Sequence, residues 1–463
     1  MGEPALSDRS LRTAAWLSPL VVFLAVYGPT VGHGFIKDDV SWILSSRVRS
    51  LSDVLHLFQG DNGFYRPIVS LVFAINELLA GAQPWSYGIT NMLLALLCAG
   101  SLVWLGRGLR MSIGAALLAG GLWLLNFNGI GGSMLWISGR TYLVVTLAAV
   151  LTANALMRGH LAWATALLTM ALFAKEEALL LPAILLAWLV VLKRSNGDGA
   201  GVRVVPWILA ATFAVCIYVA ARSLTHAMTP LTAPPYYRPT FAAGALSSNA
   251  LHYADWALTF STAVTLIGVA LLGVPRPFLD TRARAIVLSG AMWLVGEFAI
   301  TVFVPSRSVL YACLPSVGVA LAAAALCERA WSAAAPVRRR RALVVAATLP
   351  VLLSPIYHAR TQRMVAIADL SAQTLGALPA LTAGLPDGST IVIEDDRSQK
   401  SVNLEAAFGT LLNEAYRLTN HRSMRFWIEP AVTNAAAGGL TPPCATCVNL
   451  RLAIRSGHLK RVD

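Results

Sequence analysis

The sequence predicts an all-α polytopic membrane protein of about eleven transmembrane helices, followed by a small C-terminal α/β domain. Three observations predict it. Of the 463 residues, 56% are hydrophobic and 13% charged, with a mean hydropathy of +0.63, which is too little polar surface to solvate a globule of that size. Apolar runs near the ~20 residues needed to cross a hydrocarbon core recur along the first three quarters of the chain. Beyond residue 358 the composition turns to that of an ordinary soluble domain.

The runs fall at 14–32, 86–106, 112–128, 137–157, 160–175, 177–193, 204–222, 252–273, 284–304, 309–327 and 342–358. Basic residues support this count. With the N-terminus in the cytoplasm, the loops on that side carry Arg9 and Arg12, Arg107 and Arg110, Arg158, Lys193 with Arg194 and Arg203, Arg276 with Arg282 and Arg284, and Arg329 with the run Arg338–Arg341. Cytoplasmic loops of membrane proteins are enriched in Lys and Arg in this way. The net charge of +13 is therefore read as a topology signal and not as a nucleic-acid footprint. The expected location is the inner (cytoplasmic) membrane, with an extracytoplasmic C-terminus. The domains predicted are 1–358, including a long extracytoplasmic loop at 33–85, and 359–463. In the latter, 389–394, 424–429 and 447–454 read as strands and 402–418 as an amphipathic helix. Cys98, Cys216, Cys313 and Cys327 lie in apolar runs; Cys444 and Cys447 form a lone Cys-x-x-Cys, a weak zinc signal without a second pair.

Polar residues gather on the face opposite the basic loops. Asp38 and Asp39 follow the first run directly, where two adjacent carboxylates are costly beside hydrocarbon. Tyr65, Arg66 and Pro67 precede 68–80, which is apolar but short and reads as a helix lying in the interface with Pro67 in its first turn. Ser138, Gly139 and Arg140 open the fourth run; Lys175 and Glu176 join the fifth to the sixth; Arg307 and Tyr311 stand at the tenth. Each cation alone reads as an anchor for ordinary lipid phosphates. Together, acids and cations delivered by separate turns suit an anionic, lipid-linked substrate.

The ordered strings D-D, Y-R-P, W-I-S-G-R, A-K-E-E and S-R-S-V-L-Y-A-C-L-P over about residues 30–325 resemble GT-C superfamily glycosyltransferases. They are most similar to the transmembrane O-mannosyltransferases with tetratricopeptide repeats, and more distantly to the protein O-mannosyltransferases. The resemblance implies a polyprenyl-phosphate-linked sugar as donor, inversion at the anomeric carbon, and a base at Asp38 or Asp39. Two features depart from those relatives: Tyr142 stands where they most often carry an Asp, with Glu176 as a substitute, and the repeats are absent.

A transfer to a hydroxyl needs a base, and a departing phosphate needs cations. Asp38 is expected to be the base and Asp39 to position the acceptor or a divalent cation; no other cofactor is expected. Arg66, Arg140, Lys175 and Arg307 are the candidates for holding phosphate, with Tyr65, Glu176 and Tyr311 completing the substrate site. The acceptor, a protein, glycan or lipid, is not identified by the sequence. The rival readings are a flippase of lipid-linked sugars, an O-antigen-type glycan ligase and a non-catalytic scaffold.

Overall fold

Each of the eleven apolar runs lies on a helix in the computed structural model, which describes residues 8–59, 65–196, 204–225, 227, 237–274, 279–395, 401–429, 447–455 and 458–462. The helices are α1 (Asp8–Tyr27), α2 (Asp38–Ser45), α3 (Leu51–His56), α4 (Pro67–Ala80), α5 (Pro84–Gly108), α6 (Ile113–Leu124), α7 (Phe127–Leu135), α8 (Arg140–Met157), α9 (Leu161–Ala174), α10 (Leu181–Asn196), α11 (Val204–Leu224), α12 (Ala243–Leu272), α13 (Thr281–Thr301), α14 (Ser316–Ala333), α15 (Pro336–Thr382), α16 (Leu404–Phe408) and α17 (Leu412–Asn420). Among the described residues seven helices are long and apolar enough to cross a membrane, and the α6–α7 pair, bent by 58°, reaches the same measure when its two helices are taken as one span. The other three runs lie on α9, α10 and α14, which do not meet the same measure of length and hydropathy. The chain is thus a polytopic, mostly helical membrane protein carrying a small sheet.

Lipid as solvent explains which side chains point outward. On α5, Ile89, Leu93, Leu97 and Trp104 are exposed while Asn91, Ala95, Cys98, Leu102 and Leu105 are buried. On α11, Val205, Leu209, Phe213 and Ile217 face out, and Trp207, Ala211, Ala214 and Tyr218 face in. Both patterns follow the 3.6-residue period, but the outer face is as apolar as the inner one. The central helix is α8, buried along nearly its whole length against α5 and α9.

The short apolar segment after Arg66 forms α4, with Pro67 in the first turn and Ile75, Leu78 and Leu79 exposed. An exposed apolar face on a 14-residue helix suits the membrane interface.

Three boundaries differ from the sequence reading. The helix that carries the last apolar run does not stop at 358: α15 is 47 residues long and ends at Thr382. At ~1.5 Å per residue that is ~70 Å, more than twice a ~30 Å hydrocarbon core. The helix expected over 402–418 is two, α16 and α17, separated by Gly409 at φ 56°, a conformation that glycine takes without steric cost. A fourth strand also joins the three expected. The sheet has the order β2-β1-β3-β4: β1 (Thr390–Glu394) is central and parallel to β2 (Arg425–Glu429) and β3 (Leu450–Arg455), and β4 (His458–Arg461) closes the edge antiparallel to β3. One continuous apolar core runs from the helix bundle into this sheet, from Phe23 and Leu143 through Phe35 and Val40 to Phe408 and Ile391.

Candidate active-site cavity

Residues from several distant turns meet at the end of the bundle that carries the sheet. The α8 helix sets the scale: Arg140 at its start and Arg158 after its end are ~27 Å apart, so the two mark opposite ends. At the Arg140 end lies a cavity of about 970 Å³. Its wall includes Asp38 and Trp42 from α2, Arg66, Trp136 and Ser138, Tyr142 from α8, and Lys175, Glu176 and Glu177. Tyr218 and Arg222 of α11, Arg238, Arg307 and Tyr311 also line it.

The two aspartates separate completely. Asp38 opens onto the cavity. Burial within the surrounding protein raises its carboxyl above the ordinary aspartate range, while the neighbouring Lys37 and Arg66 charges pull it back. Asp39 is fully buried and is not on the cavity wall. Its Oδ2 accepts from the Ile36 amide at 2.9 Å and its Oδ1 from the Ser138 amide at 2.7 Å. Burial pushes its carboxyl up to about 7, against the pull of those two donors. The expected role of Asp39 in positioning an acceptor or metal is therefore corrected: both oxygens are spent tying the start of α2 to the turn Ile137–Gly139.

Arg140 needs a second correction. It is fully buried and does not line the cavity. Nε donates to Asn91 Oδ1 at 3.1 Å, Nη1 to Asn76 Oδ1 at 2.6 Å and Nη2 to the Tyr87 carbonyl at 3.0 Å, and the guanidinium lies 4.2 Å from the Phe73 ring centroid. This side chain ties α4, α5 and α8 together. Tyr65 is likewise buried away from the cavity, with its ring 5.7 Å from that of Phe173.

The remaining cations fall into two groups. Arg66 forms a two-pronged pair with Glu176, at 2.5 and 3.1 Å. Lys175 lies 3.1 Å from Glu177, 3.5 Å from Glu176 and 4.6 Å from the centroid of the Tyr142 ring. The Arg66 and Lys175 charges hold the Glu176 carboxyl well below the usual carboxylate range, overriding its burial. Arg307 and Arg222 have no carboxylate partner among the described residues. Arg307 contacts Ser248 Oγ at 3.2 Å and the His252 imidazole at 3.0 Å; Arg222 donates to the Ala227 carbonyl at 2.6 Å and to Tyr218 Oη at 2.7 Å. An anion entering the cavity can therefore meet these two guanidinium groups without displacing a carboxylate among the described residues. The carboxylate beside Tyr142 is Glu177, at 3.5 Å from its hydroxyl, rather than Glu176.

Among the described residues, no group of three His, Cys, Asp or Glu side chains is placed to hold a metal ion. Cys447 is disulfide-bonded; Cys444 lies outside the described residues.

No protein-family model matches this chain, and no curated protein does. The crystal structure of ArnT from Cupriavidus metallidurans bound to undecaprenyl phosphate matches it with a TM-score of 0.51 at 12% identity, over 93% of this chain and 88% of that one. The chain shares the fold of ArnT. The coverage leaves too few residues unmatched to exclude the whole C-terminal domain, so the likeness to ArnT reaches beyond the membrane helices.

Sequence reasoning missed Arg222 and Arg238 on the cavity wall. Arg222 carries a readable signal: it ends an apolar run on the face opposite the basic loops, against the positive-inside bias. A cation placed against that bias is better explained by an anion it must meet. Trp42 and Trp136 gave no comparable signal, because aromatic residues at a membrane interface are common for other reasons.

Proposed function

We propose that this chain is a membrane glycosyltransferase that moves a sugar from a polyprenyl-phosphate donor to an acceptor hydroxyl at the extracytoplasmic face. The observation that carries this reading is the sharing of one cavity by the Asp38 carboxylate and the side chains of Arg66, Lys175, Arg222 and Arg307. The fold it shares with ArnT, solved with undecaprenyl phosphate bound, supports a lipid-phosphate donor. The disulfide at Cys447 supports an oxidising compartment for the C-terminal domain, and so the inner-membrane topology with that domain exported.

In this reading the acceptor oxygen attacks the anomeric carbon as its proton passes to Asp38. The bond from that carbon to the phosphate oxygen breaks with the electron pair going to the phosphate, and the configuration inverts. Asp38 fits the base because its oxygens face the cavity, whereas those of Asp39 are already occupied by amides. The leaving phosphate needs no acid; Arg222 and Arg307, which pair with no carboxylate among the described residues, offer it charge. Tyr142 and Tyr311, with ring centroids 5.9 Å apart, give the sugar an apolar surface.

The test is a reconstituted assay in proteoliposomes with a labelled polyprenyl-phosphate monosaccharide. Transfer of label to an acceptor supports the proposal. Movement of intact donor between leaflets without transfer would identify a flippase instead.

A further inference from the structure

We infer that the C-terminal domain is a positioning element for the base, holding a strained turn at Lys37 that aims Asp38 into the cavity. The inference rests on the glycosyltransferase reading above.

The segment from His33 to Lys37 links the first membrane helix to α2 with neither helix nor strand along most of its length, so its backbone groups need partners from elsewhere. Residues beyond 358 supply two of them. The Lys37 amide donates to the Ala407 carbonyl of α16 at 2.8 Å. The Phe35 carbonyl accepts from Ser371 Oγ of α15 at 2.7 Å. Gly34 lies so close to α15 that a Cβ there would stand 2.5 Å from the Ala368 carbonyl oxygen, so only glycine fits. The apolar side chains follow the same route: Phe35, Ile36 and Val40 share one buried cluster with Leu404, Ala407 and Phe408.

Lys37 itself has φ 47° and ψ −116°, a conformation that L-residues rarely adopt. Such a backbone persists only when its surroundings over-determine it, and such residues concentrate at functional sites. The next residue is Asp38. The fastening at Ala407 is secured in turn from the sheet. Asp395, directly after β1, is buried, and its carboxylate accepts from the Leu404 amide at 3.1 and 3.2 Å; Asn403 caps α16 by accepting from the Ala406 amide at 2.8 Å. A mechanical line thus runs from the end of β1 through α16 to the Lys37 amide and the carboxylate beside it. None of these domain residues lines the cavity.

The experiment uses full-length protein in proteoliposomes and reads kcat and KM for a polyprenyl-phosphate monosaccharide, with undecaprenyl phosphate binding measured separately. Asp395→Ala and Ser371→Ala are each expected to lower kcat about tenfold or more, while donor KM and undecaprenyl phosphate affinity stay within about twofold. Lys37→Pro, which removes the amide hydrogen and forbids positive φ, is expected to lower kcat at least 100-fold, whereas Lys37→Gly, which takes that φ freely, loses no more than about threefold. Unchanged kcat in folded Asp395→Ala and Ser371→Ala would overturn the inference. Should those variants not fold, equal losses in Lys37→Pro and Lys37→Gly would overturn it. The underlying reading fails separately, on absence of transfer by the wild type or on wild-type turnover by Asp38→Asn.

Discussion

Asp39 and Ser138, 99 residues apart, are joined by a hydrogen bond of 2.7 Å from the Ser138 amide to Asp39 Oδ1. The same carboxylate accepts from Ile36, so a single side chain sets the start of α2 against the turn before α8. The strings D-D and W-I-S-G-R, which stand far apart in the sequence, belong to one structural joint. Asp38, one residue earlier, is turned by ~100° and faces the cavity.

Replacing Asp39 tests that joint. Asp39→Asn places an amide NH₂ against a backbone N–H on one side, and Asp39→Ala leaves two amides unpaired. Each is expected to cost about 1–3 kcal/mol of stability. Thermal unfolding in detergent measures it, and an unchanged midpoint would show that the joint is dispensable.

Asp38→Ala and Asp38→Asn should abolish transfer with stability and membrane insertion intact, since the side chain opens on the cavity. Full activity in either variant removes the base assignment.

Acid limits the base. Asp38 must be ionised to accept a proton, and its carboxyl is raised by burial above the ordinary value of 3.8, so kcat/KM should rise with pH through a point above that value. The Arg66 charge lowers this carboxyl. Arg66→Gln should therefore shift the rising limb to higher pH, apart from any loss in rate. A shift to lower pH, or none, would separate Arg66 from Asp38.

Arg222 and Arg307 are predicted to bear the phosphate. Alanine at either should cost about 2–4 kcal/mol of transition-state stabilisation, roughly 30- to 1000-fold in kcat/KM. Single-substrate kinetics on the two variants checks this, and losses under threefold in both would move the anion to Arg66 and Lys175.

Arg140→Ala should behave differently. Its loss strands Asn76, Asn91 and the Tyr87 carbonyl in the core, costing about 3 kcal/mol or more. The expected result is a lowered unfolding midpoint with undecaprenyl phosphate affinity preserved in the folded fraction. Lost affinity at unchanged stability would return Arg140 to the phosphate site.

Residence in lipid, the helical runs and the gathering of acids and cations toward one end were all decided by the sequence. A hydrocarbon slab of ~30 Å imposes its length and polarity on local composition, which needs no knowledge of contacts. The strands at Thr390, Arg425 and Leu450 were legible for the same local reason, short apolar runs rich in β-branched and aromatic residues between polar flanks. The division of labour within each polar string was not legible. Asp38 and Asp39 are chemically identical neighbours, and Arg140 and Arg66 each follow a turn into a helix; only packing turns one of each pair toward the cavity and seals the other in the core. The same holds for α15, whose prolines and polar residues hid its continuation to Thr382, and for Ala407, whose part rests on a carbonyl that every residue possesses. Direction and pairing are properties of the assembled chain, because they depend on which distant backbone arrives opposite a given atom.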